Sequence, residues 1–199
     1  MSTIDDMQIQ QIVQRVLKQV MGLSQQEIVP VDIPSAAETA PRSGSQTGVR
    51  KVVAIGADHG GFELKEILKA DLSGMGLDVN DVGTYSKAAV DYPDYAHEVA
   101  KLVSSGKAWR GVMIDGAGIG SCIVANKVPG VRAGMAYDYS SAVNSREHNN
   151  TNVLTLGAGL IGVNLAKQIV KTWLSTEFSG ERHARRVEKI SVVEKLYLK

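Results

Sequence analysis

The apolar residues near the start of the chain repeat with a helical period. Between residues 1 and 23 they follow the i, i+3, i+4, i+7 spacing of an amphipathic helix, at Ile9, Ile12, Val13, Val16, Leu17, Val20 and Met21. Thr3 followed by Asp6 provides a cap at the start of this helix, and Gly22 can end it. The pattern therefore predicts a short amphipathic helical tag over residues 1–23.

The helical period is lost between residues 24 and 49. This stretch contains Pro30, Pro34 and Pro41 among Ser, Ala, Glu, Thr and Gly, and it has almost no aromatic content. A segment of this composition cannot bury enough surface to offset the conformational entropy of its chain. We therefore expect a disordered linker over residues 24–49.

From Arg50 onward, short β-branched runs alternate with longer amphipathic runs, which is typical of a parallel sheet covered on both faces. The alternation predicts one α/β domain over residues 50–199, a doubly wound (Rossmann-like) three-layer sandwich with a five-stranded parallel sheet. The predicted strands cover residues 51–56, 78–82, 111–114, 131–135 and 153–156. The predicted helices cover residues 62–74, 92–105, 119–128, 140–148, 162–176 and 182–198.

Charge and composition argue against nucleic acid and membranes as partners of this protein. The 22 Lys and Arg and the 21 Asp and Glu residues are interspersed, so no basic stripe offers the surface that nucleic acid requires. No run approaches the roughly 20 apolar residues that span a bilayer, and the N-terminus lacks the pattern of a secretory signal. We expect no membrane partner. Cys122 is the only cysteine, which excludes an intramolecular disulfide and favours a cytoplasmic location.

Polar residues that follow predicted strands are the candidates for chemistry, because ligands of such sheets bind outside the carboxyl ends of the strands. Asp58 and His59 follow the first strand, either as substrate ligands or only as a capping pair. The run from Asp115 to Ser121 follows the third strand and contains three glycines. It either turns backbone N–H groups towards an anion or merely allows close packing of a helix.

The glycine run does not indicate a dinucleotide site. It follows the third strand rather than the first, and it lacks the GxGxxG spacing. We therefore expect no nucleotide cofactor.

Five stretches of the domain match one family pattern in the same order. They are residues 56–62 (GADHGGF), 91–93 (DYP), 125–133 (ANKVPGVRA), 148–149 (HN) and 182–186 (RHARR). Together they resemble the family of ribose-5-phosphate isomerase B and galactose-6-phosphate isomerase. The resemblance runs from about Lys51 to Ile190, and the tag and the linker lie outside it.

The resemblance implies interconversion of an aldose phosphate and a ketose phosphate through a cis-enediolate, without a metal ion or a cofactor. It also implies a homo-oligomer, a dimer or a tetramer, whose active sites take residues from two subunits. His148 would assist opening of the sugar ring, and the glycine loop would bind the developing enediolate oxygen. The implied substrate-binding residues, of which the two arginines would hold the phosphate, are Asp58, His59, Tyr92, Gly116, Ala117, Gly118, Ile119, Gly120, Ser121, Asn149, Arg182 and Arg186.

Two positions depart from the family pattern. Many members have a cysteine as the proton-abstracting base where this chain has Asp115. We expect Asp115 to move the proton between C1 and C2, and the alternative is that it only caps the glycine loop. Many members also have a phosphate-binding arginine where this chain has Gly159, so the substrate can differ from ribose 5-phosphate in length or shape. We expect Cys122, which has apolar neighbours, to be a packed structural thiol rather than a displaced base.

A tethered helix with an apolar stripe should dock on another surface. A short helix and a linker before a catalytic domain resemble the encapsulation peptides of bacterial microcompartments. The partner would then be a shell protein or a co-encapsulated enzyme. The alternatives are that the helix packs on its own domain or on a sister subunit. A membrane-surface role is disfavoured because the polar face is not enriched in Lys and Arg.

Two functions of different classes remain open at the level of the sequence. The first is a sugar-phosphate isomerase inside a microcompartment, favoured by Asp58, His59 and His148. The second is a noncatalytic sugar-phosphate-binding or assembly component, favoured by the changes at Asp115 and Gly159. The fold alone cannot separate them, because function depends on the site.

Overall fold

The computed structural model describes residues 50–197, so the predicted tag over residues 1–23 and the predicted linker over residues 24–49 lie outside the described residues. Five strands alternate with helices: β1 (Val52–Ala57), β2 (Asp78–Asp81), β3 (Arg110–Asp115), β4 (Ala133–Met135) and β5 (Val153–Gly157). The described helices are α1 (Phe62–Gly74), α2 (Tyr92–Ser104), α3 (Ile119–Ala125), α4 (Tyr139–Glu147), α5 (Val163–Ser175) and α6 (Glu181–Tyr197).

All five strands are parallel, in the spatial order β2-β1-β3-β5-β4. β1 pairs with β3, where Ala57 lies opposite Ile114, and β3 pairs with β5, where Asp115 lies opposite Gly157. The carboxyl ends of these three strands are therefore adjacent, and the loops that follow them meet at one edge of the sheet. This arrangement confirms the predicted doubly wound parallel sheet.

Side chains on the central strands alternate between two apolar cores, one on each face of the sheet. Val53 and Ile55 point into the core formed with α1, α4 and α5, whereas Ala54 points into the core formed with α2 and α3. Trp173 on α5 is fully buried, and its indole N–H donates to the Thr151 hydroxyl (2.9 Å). Two covered faces produce the three-layer sandwich that the alternation predicts.

The helix predicted over residues 119–128 is shorter in the structure, where it ends at Ala125. Pro129 disfavours a helical backbone for the residue before it, and Asn126 leaves the helix to bind the edge strand β4. Its side-chain Nδ2 donates to the Ala133 carbonyl (3.0 Å), and its Oδ1 accepts from the Ala133 N–H (2.9 Å). The bounds of the other predicted elements agree with the structure to within two residues.

The last helix, α6, buries one side chain, His183, and leaves apolar residues such as Ile190, Val193 and Leu196 about half exposed or more.

Between residues 50 and 197, no helix has both the length and the apolar content needed to cross a membrane.

Candidate active site

The loops after β1 and β3 meet at the carboxyl edge of the sheet and bring Asp58 against the glycine loop. The Asp58 N–H donates to the Ile114 carbonyl (3.1 Å), and its Oδ1 accepts from the Gly61 N–H (3.0 Å) just before α1. A Cβ at Gly60 would lie 3.4 Å from this Oδ1 and 3.8 Å from the nitrogen of Gly116. Asp58 is thus a buried carboxylate close to the glycine loop.

The glycine loop wraps around the carboxylate of Asp115. Its Oδ1 accepts hydrogen bonds from the N–H groups of Ala117 (2.8 Å) and Gly118. Its Oδ2 accepts from both the N–H (3.1 Å) and the hydroxyl of Ser121. Gly118 has a left-handed backbone (φ +78°), and a Cβ there would lie 2.9 Å from the carbonyl carbon of Leu156, so the turn requires glycine. The loop therefore presents several N–H groups to a carboxylate of its own chain.

Four donors fill the acceptor capacity of Asp115, because an ionised carboxylate offers about four lone-pair positions. The side chain is also buried, with 4% exposure. These contacts are those expected if Asp115 caps the loop. A role in proton transfer requires one oxygen to be freed, and the hydroxyl of Ser121 is the donor that a single bond rotation can release.

His59 contacts the segment that leads into α2, and Tyr92 directly follows that segment. Nδ1 of His59 is 3.2 Å from the carbonyl oxygen of Val90 and 3.3 Å from its nitrogen. Tyr92 begins α2 and packs its ring on the glycine loop, where a Cβ at Gly120 would lie 2.6 Å from the phenol oxygen. Tyr92 therefore borders the loop that follows β3, and His59 contacts the segment that leads into α2.

A second cluster of predicted site residues lies where the end of α4 meets α6. The rings of His148 and His183 stack with their centroids 4.2 Å apart and an angle of 1° between their planes. Nε of Arg182 donates to Nε2 of His183 (3.2 Å), and Nδ2 of Asn144 lies 2.8 Å from Nδ1 of His148. A cavity of about 240 Å³ beside this stack is lined by Asn144, His148, Asn149, His183, Arg186, Val187 and Ile190. Imidazole and guanidinium groups in this arrangement suit a phosphate.

The pKa of His183 is lowered below its ordinary value of 6.5. Burial of the ring is the main cause, and the neighbouring His148, Arg182 and Arg186 act in the same direction. His183 is therefore neutral at neutral pH and can accept the hydrogen bond from Arg182. A phosphate bound beside it would add negative charge and favour the protonated ring.

The predicted site residues form two separate groups. The first surrounds the carboxyl ends of β1 and β3. The second follows α4, which carries the chain from the carboxyl end of β4 back towards the amino end of β5. The cavity beside the histidine stack has no residue of the first group in its lining, and neither has a cavity of about 600 Å³ along β4, which Asn149 also lines. One chain thus presents two partial sites.

Sequence reasoning missed contacts that join distant elements. It did not pair His148 with His183, and it did not assign a role to Asn144. It also assigned no role to Tyr137, which follows β4 and supports the glycine loop by donating from its hydroxyl to the carbonyl of Ala117 (3.1 Å). No spacing rule relates residues of α4 to residues of α6, so the sequence carried no local signal for the stack.

Gly159, the second departure from the family pattern, and Cys122, the thiol that we expect to be structural, have different surroundings. Gly159 donates its N–H to the Gly116 carbonyl (3.0 Å), and a Cβ at this position would lie 3.0 Å from the same oxygen, a tight contact. Cys122 is half-buried, with its Sγ 3.5 Å from the carbonyl oxygen of Ala133, and burial raises the pKa of its thiol. These contacts agree with a packed thiol.

Among residues 50–197, no group of three His, Cys, Asp or Glu side chains is placed to hold a metal ion.

The chain matches one protein family and several individual proteins. The family described as Ribose/Galactose Isomerase matches residues 53–190. Ribose-5-phosphate isomerase B of Escherichia coli is 45% identical over 144 residues, which cover 72% of this chain and 97% of that protein. D-erythrulose-4-phosphate isomerase of Pectobacterium atrosepticum is 44% identical over 144 residues, which cover 71% of this chain and 94% of that protein.

Solved structures with the same architecture carry related names. Ribose-5-phosphate isomerase B of Clostridium thermocellum has a TM-score of 0.73 and 48% identity, covering 73% of this chain and 99% of that one. Ribose-5-phosphate isomerase B of Mycoplasma genitalium, solved with bound ribulose-5-phosphate, has a TM-score of 0.70 and 38% identity, covering 72% and 96%. The family match begins in β1 and ends within α6.

Proposed function

The chain belongs to the ribose/galactose isomerase family and is a sugar-phosphate isomerase, and on that premise we propose that it interconverts ribose 5-phosphate and ribulose 5-phosphate or a closely similar pair. The family membership sets aside the noncatalytic alternative. The identity of the sugar is the part of this statement that needs an experiment.

One observation carries the proposal: two carboxylates from neighbouring strands, Asp58 and Asp115, lie beside the same glycine loop. An aldose–ketose isomerase needs a group that moves a proton between adjacent carbons and donors that stabilise the negative oxygen formed in between. Carboxylates can supply the first, and those backbone N–H groups of the glycine loop that do not bind Asp115 can supply the second. The carboxyl edge of β1 and β3 holds both kinds of group.

The proposed reaction moves two protons within the sugar, one from C2 to C1 and one from the hydroxyl on C2 to the oxygen on C1. A base takes the proton from C2 of the open-chain aldose, the C–H electrons form the C1–C2 double bond, and the carbonyl oxygen on C1 takes up a proton. The base then returns the proton to C1 while the hydroxyl on C2 loses its proton and becomes the ketone. We assign the base to Asp115, freed by rotation of the Ser121 hydroxyl, and ring opening to His148.

We propose that two copies of the chain complete each site, in a homodimer or a tetramer. The first group holds the reacting carbons, while the second, with His148, Asn149, Arg182 and Arg186, holds the phosphate and the ring oxygen. Apolar side chains border both groups and offer surface for such a contact. They are Ile119 and Ile123 beside the glycine loop, and Ile190 and Val193 on α6.

The length of the substrate depends on where its phosphate lies. Gly159 supplies no charge to the first group, so the proposed phosphate contacts are the guanidinium groups of Arg182 and Arg186. The names of the two similar bacterial enzymes differ in the number of carbons, four in one and five in the other. We rank ribose 5-phosphate first, with a four-carbon ketose phosphate as the next candidate.

The test is turnover of the purified full-length protein on ribose 5-phosphate beside a panel of four- to six-carbon aldose phosphates, following ketose formation. We expect measurable turnover, with the highest kcat/KM on ribose 5-phosphate. A higher kcat/KM on another sugar would replace the substrate and keep the reaction. If the protein is folded but turns over no sugar of the panel, the proposal is overturned.

We further propose that residues 1–23 direct the enzyme from the surrounding cytoplasm into a bacterial microcompartment. Support comes from the apolar stripe of this segment and from the Pro- and Ser-containing stretch that separates it from the isomerase domain. A fluorescent reporter fused to residues 1–24 should gather in compartments, and a Val13→Asp/Leu17→Asp variant should be diffuse. Gln10→Asp on the polar face is the matched control. A diffuse unmodified fusion would refute the targeting role.

A further inference from the structure

An ion pair with a buried lysine and a partly buried aspartate joins α1 to the end of β2, outside both groups of site residues. Lys65 is fully buried, and its Nζ lies 2.6 Å from each carboxylate oxygen of Asp81. Nζ of Lys69 also lies 2.6 Å from Oδ2 of Asp81. Although burial acts to raise it, the pKa of Asp81 is lowered, because the two lysines and the N–H of Gly83 bind its charged form.

Stability alone does not explain why a lysine is buried here. Removing two charges from water offsets most of their attraction, and apolar residues of similar volume often give an equally stable fold. A buried pair of this kind is therefore better understood from what it holds in place. Asp81 is the last residue of β2, so it stands at the start of the connection from β2 to α2, residues 82–91.

Asp81 fixes the first turn of the β2–α2 connection. Its Oδ1 accepts from the N–H of Gly83 (2.9 Å), and its main-chain carbonyl accepts from the hydroxyl of Tyr85 (3.0 Å). The carbonyl of Gly83 then accepts from the N–H of Ala57 (2.7 Å), and the N–H of Thr84 donates to the carbonyl of Ala57 (2.7 Å). The connection is thereby held against the last residue of β1, directly before the first group of site residues.

The other end of the connection contacts the site itself. Val90 lies within hydrogen-bond distance of Nδ1 of His59 through both its carbonyl oxygen and its nitrogen. Two residues later, the ring of Tyr92 packs on Gly120 of the glycine loop. A displacement of residues 82–91 would therefore disturb both the ring of His59 and the packing of Tyr92 on the glycine loop.

Val90 offers His59 a partner in either protonation state. When Nδ1 carries a hydrogen it can donate to the carbonyl of Val90, and when it does not it can accept from the N–H of Val90. The ring can thus keep one orientation while it gains or loses a proton. This property suits a histidine that faces a reacting sugar, provided that the segment carrying Val90 does not move.

We propose that the Lys65–Asp81 ion pair is a positioning device, which holds residues 82–91 so that Val90 fixes the ring of His59 for catalysis. The proposal rests on the proposed isomerase function for its kinetic consequence. Neither Lys65 nor Asp81 touches the substrate in this scheme. Their effect on turnover passes through the β2–α2 connection.

Two variants separate positioning from stability. Asp81→Asn weakens the ion pair, and Lys65→Met/Asp81→Leu replaces it with apolar side chains that need no desolvation. We expect each to lower kcat/KM on the best substrate of the panel at least about tenfold, since small misplacements of catalytic groups are costly. Glu98→Gln, which removes an exposed carboxylate 2.9 Å from Lys101 on α2, is the matched control and should leave kcat/KM unchanged.

If the Lys65–Asp81 ion pair only stabilised the fold, its removal would not change the environment of the His59 imidazole. This ring in the full-length protein is therefore the second readout. We expect its ring ¹⁵N chemical shifts, which report the tautomer, to change in both variants while the melting temperature of the double variant stays within a few degrees of the wild type. Unchanged His59 shifts, or a wild-type kcat/KM in the folded double variant, would overturn the positioning role. A wild-type enzyme that is silent on every sugar would overturn the proposed function alone, because the ¹⁵N shifts still test the ion pair.

Discussion

Asp115 shows how one side chain can fit two roles that the sequence does not distinguish. Its position at the carboxyl end of β3 suits a general base, whereas its hydrogen bonds to Ala117, Gly118 and Ser121 suit a cap of the glycine loop. The roles are compatible only if the loop keeps its shape when one hydrogen bond is released. The N–H bonds to Oδ1 can keep that shape while the Ser121 hydroxyl turns away from Oδ2.

We expect Asp115→Asn to lower kcat at least about a hundredfold, and to lower the melting temperature as well, because the amide nitrogen that replaces Oδ2 cannot accept from the N–H of Ser121. The asparagine Oδ1 still accepts from the N–H groups of Ala117 and Gly118, and the Ser121 hydroxyl can turn to accept from the new amide, while the basic oxygen is lost. Steady-state kinetics and thermal unfolding measure both effects. Cys122→Ser, in the helix that follows the loop, should keep kcat within about twofold. Full turnover by Asp115→Asn would leave Asp115 only its capping role.

The lowered pKa of His183 predicts a pH dependence of stability. Because the folded-state pKa lies below 6.5, the unfolded chain takes up a proton first as the pH falls through about 6.5. The associated stability is complete above about pH 6.5 and is lost as the pH falls through the folded-state pKa. Between about pH 7.5 and about pH 5.5, we expect the melting temperature of the His183→Gln variant to fall less than that of the wild type. His97→Gln, an exposed histidine on α2, should behave like the wild type, and an equal loss in His183→Gln would contradict the prediction.

At the scale of elements, the edge strand β4 depends on a side chain from the end of α3. Asn126 offers Ala133 both a donor and an acceptor, which is what a neighbouring strand would offer. The contact also explains why α3 ends at Ala125, before the end at residue 128 that the apolar pattern predicts. The helix and the strand are thus joined at the point where the chain turns through Pro129.

Asn126→Ala should lower the free energy of unfolding by about 1 kcal/mol, because it removes two hydrogen bonds to the backbone of β4. Urea denaturation measures the change. Asn164→Ala, an exposed asparagine on α5, controls for the loss of an amide side chain and should leave the free energy of unfolding unchanged or slightly higher. Equal effects of the two substitutions would show that the Asn126 contact adds nothing to β4.

At the scale of the molecule, the main feature is the division of the predicted site between two parts of the chain. The first group follows β1 and β3, and the second follows α4 and begins α6. Each crossover helix of a parallel sheet returns the chain to the opposite end of the strands, so residues before and after such a helix are kept apart. A second copy of the chain can bring the two groups together without any change of fold.

Mixing two inactive variants tests this arrangement. In a dimer with composite sites, coexpressed Asp115→Asn and Arg186→Ala chains form mixed dimers that contain one intact site. With random assembly, the mixture should show about a quarter of the wild-type activity. Each variant expressed alone is the control. A mixture no more active than its two components would place both groups in the site of a single chain.

Local pattern was enough to determine the architecture of the isomerase domain. Alternation of β-branched and amphipathic runs reports which residues are buried, and burial on two faces of a parallel sheet leaves few folds to choose from. The same pattern placed Asp58 and Asp115 after β1 and β3, where sheets of this kind bind ligands. It also predicted nearly every element boundary.

Only the tertiary structure decided how these side chains are used. It turned the glycine loop around Asp115, stacked His148 on His183, and placed the Lys65–Asp81 pair beneath the connection that holds His59. It also kept the two groups of site residues apart. The physical reason is that these contacts join elements far apart in sequence, whereas hydrophobic periodicity encodes only which way a residue faces within its own element.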